Sequence, residues 1–102
     1  MEAVAKKRYT IAEVEAIVAQ KGFVAVLFTA PNCQYCGPAK TELDRLVKGK
    51  VMQGVVIDAP SSPELAEYAS VAAAPTLQLY QDGKFERSAT GNRVVKLLKD
   101  FA

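Results

Sequence analysis

The chain has 102 residues, half of them hydrophobic, which is enough for one domain with a modest core and leaves no room for a second. Thirteen Lys and Arg stand against eleven Asp and Glu, a net charge of +2. The charges are scattered, so no basic block points to nucleic acid or to an anionic membrane surface. There is no histidine and no tryptophan, and the two cysteines, Cys33 and Cys36, are the only thiols.

Met1 to Arg8 carries Lys6, Lys7 and Arg8, but amphipathic sequence follows rather than a long apolar core. A secretory signal is not expected, no stretch is long enough to span a bilayer, and the expected compartment is cytoplasmic. In that compartment a close cysteine pair points to redox activity or metal binding rather than to a structural disulfide.

In chain order, Thr10 and Glu13 make a capping-box pattern, and Ile11, Val14, Ile17 and Val18 supply one apolar helix face that Gly22 ends. Phe23-Val24-Ala25-Val26-Leu27-Phe28 is apolar throughout, and its β-branched and aromatic content favours a buried strand. Ala39, Leu43, Leu46 and Val47 then recur at helical spacing, which predicts a helix over about 33–48 carrying both cysteines at its start. Gly49 and Gly54 bracket a connection into a short strand, Val55-Val56-Ile57, closed by Asp58. Ser62-Pro63-Glu64 reads as N-cap, first-turn proline and first-turn acid, opening a helix to about Ser70. Thr76 to Tyr80 is strand-like, Asp82-Gly83 is a hairpin turn, and Phe85 to Thr90 is its partner strand. Gly91 precedes a last helix with Val94, Leu97, Leu98 and Phe101 on its apolar face. The expected order is αβαβαββα: an α/β fold, with a central mixed sheet flanked by helices on both faces.

Cys33-Gln34-Tyr35-Cys36 carries the chemistry. Backbone N–H groups at a helix start favour a thiolate over a thiol, and a second thiol one turn away can resolve what the first forms. The competing reading is half of a metal site. Zinc takes four protein ligands, or three and a water, and this chain has no further Cys or His, so a metal would have to bridge two chains.

Three segments in order resemble the thioredoxin-fold superfamily. Val26-x-Phe28-x-Ala30-Pro31-x-Cys33-x-x-Cys36 is similar to the thioredoxin active-site segment. Ala74-Pro75-Thr76-Leu77 is similar to the segment where thioredoxins carry a cis proline facing the disulfide. Tyr80 through Gly91 resembles the hairpin and the glycine bordering their substrate groove. The resemblance runs from Tyr9 to Phe101 and implies a thioredoxin fold for a single domain, 1–102. It implies redox chemistry at Cys33 and Cys36, and substrate contacts at Asn32, Tyr35, Ala74, Pro75, Thr76 and Gly91. No metal or cofactor is implied. The implied partners are disulfide-containing proteins, with an unidentified reductase or glutathione as electron donor and the chain acting as a monomer.

The departures bear on mechanism. Asn32 stands where thioredoxins have Trp, and Gln34-Tyr35 replaces Gly-Pro. The buried acid of the preceding strand aligns with Leu27, and the lysine that accompanies it aligns with Gly54. The kink-forming proline of the long helix is missing from its usual place, while Pro38 lies two residues past Cys36. Cys33, Tyr35, Cys36, Ala39 and Lys40 also match the glutaredoxin pattern C-x-Y-C-x-x-A-K. Gly91-Asn92-Arg93, however, stands where glutaredoxins bind glutathione through Gly-Gly and acidic residues. Two alternatives therefore stay open: a glutathione-dependent reductase, and a non-catalytic thioredoxin-fold binding module.

Overall fold

The computed structural model describes residues 4–6 and 9–101, the first three by their backbone. The remaining residues of the basic N-terminal stretch fall outside the described part. The elements are β1 (Val4–Lys6), α1 (Ile11–Val18), β2 (Phe23–Thr29), α2 (Cys36–Lys48), β3 (Gln53–Asp58), a 3-10 turn at Ala59–Ser61, α3 (Pro63–Tyr68), β4 (Thr76–Gln81), β5 (Lys84–Thr90) and α4 (Asn92–Lys99). One five-stranded sheet has the order β1-β3-β2-β4-β5, with β1, β3 and β2 parallel and β4 and β5 antiparallel. This is the mixed sheet of a thioredoxin fold.

β2 is central and buried from Val24 to Thr29, as its unbroken apolar run requires. Its side chains alternate between two cores. Ala25 and Leu27 join Ala39, Leu43, Leu46 and Val47 of α2 and Val94 and Leu98 of α4. Val26 and Phe28 join Tyr9, Val55, Ile57 and Leu65, with Ile11, Val14, Ile17 and Val18 of α1 packed against them. The layers are thus α1 and α3, the sheet, then α2 and α4.

The expected elements are present, with five corrections. β1 was not anticipated, because three residues give no period to read. α2 begins at Cys36 rather than at Cys33: residues 33–35 form the turn before it, with Tyr35 at the N-cap, and Pro38 falls inside the first turn, where its missing N–H costs nothing. α1 ends at Val18, with Gly22 beyond it at φ +86°, and α3 ends at Tyr68. Gly54 lies inside β3 instead of in the connection. A Cβ there would stand 3.0 Å from both Leu43 and Val47, so the glycine is what lets α2 settle on the sheet.

Local signals behave as their chemistry requires. Thr10 Oγ1 accepts from the Glu13 N–H at 3.1 Å, and Glu13 Oε1 accepts from the Thr10 N–H at 2.8 Å. Asp82 and Gly83 both take positive φ in the two-residue hairpin. Ser62 occupies the N-cap of α3, but its hydroxyl accepts the Tyr9 N–H (3.4 Å) instead of capping the helix.

Candidate active site

Strand register gathers the site at one end of the sheet. Thr29, the last residue of β2, pairs with Asp58, the last of β3. Phe28 pairs with Thr76, the first residue of β4, and Thr76 pairs with Thr90, the last of β5. The loop carrying Cys33, the Ala74-Pro75 segment and Gly91 therefore emerge at the same edge.

Cys33 and Cys36 form a disulfide, S–S 2.10 Å with their Cα atoms 5.4 Å apart. The two sulfurs sit in different surroundings. Cys33 is half-buried in the turn, whereas Cys36 is buried (6 % exposed) as the first residue of α2. Asn32, directly before Cys33, is exposed and left-handed (φ +56°), a conformation that Asn tolerates better than most residues. Tyr35 is half-buried at the N-cap.

The Ala74–Pro75 peptide bond is cis, Pro75 is buried, and Thr76 Oγ1 donates to the Ala73 carbonyl at 2.6 Å. Gly91 donates its N–H to the Pro75 carbonyl at 3.0 Å and adopts φ +61°, ψ −140°, a region open essentially to glycine alone. Among the described residues, the Ala74 N–H and C=O take part in no hydrogen bond, so both are available to an incoming strand. Ala74 also lines a cleft of about 550 Å³ with Ala30, Ala59, Pro60, Val71 and Ala72.

The core on the α2 side of the sheet is dry. Leu27 is fully buried between Val56 and Leu77 and belongs to the cluster that holds Ala39 and Leu43. Among the described residues the buried polar side chains are Thr29, Ser62 and Thr76, and none is a carboxylate. Leu27 and Gly54, which the resemblance aligns with an acid and a lysine, sit in this apolar packing, with Leu43 and Val47 close against Gly54.

Sequence reasoning passed over Asp58 as a residue of this edge. Its half-buried carboxylate accepts from the Ser61 hydroxyl at 2.6 Å at the end of β3. The signal was available: an acid closing a strand whose neighbour leads into the cysteine turn. Among the described residues, no group of three His, Cys, Asp or Glu side chains is arranged to hold a metal ion.

A cysteine pair held at a turn-to-helix junction beside a cis-proline loop is the equipment of a thiol–disulfide oxidoreductase. The thioredoxin family model matches residues 5–102, and the chain belongs to the thioredoxin family. No curated protein sequence matches it. Among solved structures it is similar to mitochondrial thioredoxin 3 of Saccharomyces cerevisiae, oxidised form (23 % identity, 97 % of this chain and 92 % of that one, TM-score 0.80). It is also similar to a mutant thioredoxin from Halobacterium salinarum (20 %, 98 % and 90 %, 0.80) and to Fasciola hepatica thioredoxin (23 %, 96 % and 95 %, 0.79). At these identities the likeness is one of fold.

Proposed function

We propose that the chain is a protein disulfide reductase working through Cys33 and Cys36 as a single cytoplasmic domain. The observation that carries this reading is the unequal burial of the two cysteines: Cys33 is partly exposed and so placed to meet a macromolecular disulfide, whereas Cys36 is 6 % exposed and bonded to Cys33.

In the reduced protein the Cys33 thiolate attacks one sulfur of a substrate disulfide. The Cys33–substrate S–S bond forms, the substrate S–S bond breaks, and the departing substrate thiolate takes a proton. Cys36 then gives up its proton and attacks Cys33 Sγ. The mixed disulfide breaks, the second substrate thiol leaves, and the Cys33–Cys36 disulfide remains. Two electrons pass to the substrate, and a dithiol reductase or glutathione restores them. The free N–H and C=O of Ala74 pair with the substrate strand, Pro75 and Thr76 fix that loop, and Asn32, Tyr35 and Gly91 border the approach.

Insulin reduction with dithiothreitol, run beside a glutathione-coupled mixed-disulfide assay, tests the proposal. Turnover in the first and none in the second is the expected result. The reverse would favour a glutathione-dependent enzyme, in keeping with the glutaredoxin pattern around Tyr35. Inactivity in both would leave a binding module.

A further inference from the structure

Charge differs between the α1/α3 layer and α4, while α2 beside α4 carries both signs, Lys40, Arg45 and Lys48 with Glu42 and Asp44. α1 carries Glu13 and Glu15, α3 carries Glu64 and Glu67, and neither helix has a Lys or Arg. On the opposite face α4 carries Arg93, Lys96 and Lys99, with no acid until Asp100 at its C-cap. Arg87 joins that side from β5: it pairs with Leu79 and stands two residues from Ala89, both in contact with the α2/α4 core. Arg87, Arg93 and Lys96, with Leu97, Asp100 and Phe101, line a cleft of about 410 Å³. All three cations are exposed, and among the described residues none is engaged in an ion pair.

The Arg93 end of the cleft is the one nearer the redox edge, since Phe101 at its other end packs against Phe23 at the start of β2. Gly91, bonded to the Pro75 carbonyl, is the N-cap of α4, and Arg93 follows two residues later. From Gly91 back to Arg87 is about 13 Å along β5, the reach of four residues of extended chain at about 3.3 Å each. Two guanidinium groups offer fork-shaped donors to carboxylates, and half-buried Leu97 and Phe101 give the cleft an apolar floor.

We propose that the β5–α4 cleft is a docking surface for an acidic segment of the protein whose disulfide is exchanged at Cys33, lying a few residues from the reacting cysteine. This rests on the exchange reading above. The acidic α1/α3 face repels the same segment, so the charge division fixes which way the partner's chain leaves the site. Selectivity arises chiefly in the association rate, which salt screens.

Two synthetic peptides with the same internal disulfide, one flanked by Glu and one by Lys, provide the rate test on the reduced protein. At low ionic strength the Glu peptide is expected to react about tenfold faster or more. At 1 M salt, where the screening length is about 3 Å, the ratio should fall below about twofold. Arg93→Glu/Lys96→Glu should abolish or reverse the preference. Lys21→Glu/Lys50→Glu, which makes the same change in net charge at the opposite end of the sheet, should leave it intact. Equal rates for the two peptides, or equal erosion by both double variants, would overturn the proposal. A cysteine-free Glu peptide, titrated into the oxidised protein and followed by amide NMR shifts, separates the two readings. Shifts along β5 and α4 without reduction of either peptide would sustain the surface and overturn exchange. Reduction of both peptides with no such shifts would overturn the surface alone.

Discussion

The two sides of the disulfide are built on different principles. Around Cys33 the structure is backbone chemistry at the surface: a left-handed Asn32, the open N–H and C=O of Ala74, and a Gly91 whose torsions suit only glycine. On the Cys36 side it is packing: Ala39 and Leu43, further along the helix that Cys36 starts, form a dry wall with Leu27, and no carboxylate is buried among the described residues. In the proposed reaction the first side is the one that meets a substrate. The second shields the resolving sulfur but offers it no buried base. Under the proposed function, substrate engagement and proton management are separable: the open backbone lies on one side of the pair, and the other holds no buried carboxylate among the described residues.

The largest effect should come from removing the sulfurs one at a time. Cys33→Ser is expected to abolish exchange in the insulin assay, whereas Cys36→Ser should leave a stable mixed disulfide on Cys33 that mass spectrometry detects. Trapping through Cys36 in the Cys33→Ser variant would invert the assigned roles and the comparison with them.

Placing an acid in the dry wall sharpens the contrast. Leu27→Asp should cost about 1–3 kcal/mol in a denaturant melt, because a neutral carboxyl is buried without partners. It should also speed resolution above neutrality, where the new carboxylate ionises despite its desolvation. Stopped-flow rates that stay flat from pH 6 to 9 would mean that the Cys36 proton leaves by another route.

On the open side, Asn32→Ala should cost about 1 kcal/mol, since alanine pays more for the left-handed conformation. Asn32→Gly should be tolerated. An unaffected alanine variant would show that the turn relaxes and that its torsions are not fixed by the site.

The smallest effect concerns the other core. Burial raises the Tyr80 phenol above its ordinary value of 10.0, so the neutral form is favoured in the folded chain. Its stability contribution is intact below pH 10 and is lost as pH climbs through the raised folded value. Tyr80→Phe should flatten that alkaline decline in urea melts. Tyr68, raised mainly by donating its hydroxyl to Glu15, adds a further decline that Tyr68→Phe isolates.

Much of the site was legible because its signals are local. The capping box at Thr10, the Asp82-Gly83 turn and the apolar run of β2 each state their conformation within a few residues. Leu27 was legible as core because it lies within that apolar run. What escaped reading depends on distant contacts. Gly54 looks like a linker until Leu43 and Val47 are seen against it. Cys33 falls outside α2: Asn32, which would cap a helix starting there, sits at φ +56° instead of in the extended conformation of an N-cap, and α2 starts after Tyr35. The cationic cleft needs β5 and α4 side by side, since Arg87 and Lys96 look like ordinary surface cations in the sequence.

The unequal roles of the two sulfurs are tested most directly by alkylating the reduced protein across pH, with each cysteine resolved by mass spectrometry. Cys33 should react faster and titrate well below the free-cysteine value of about 8.5, since the N-terminus of α2 favours its thiolate. Equal rates at both cysteines, each with an ordinary thiol titration, would contradict the account.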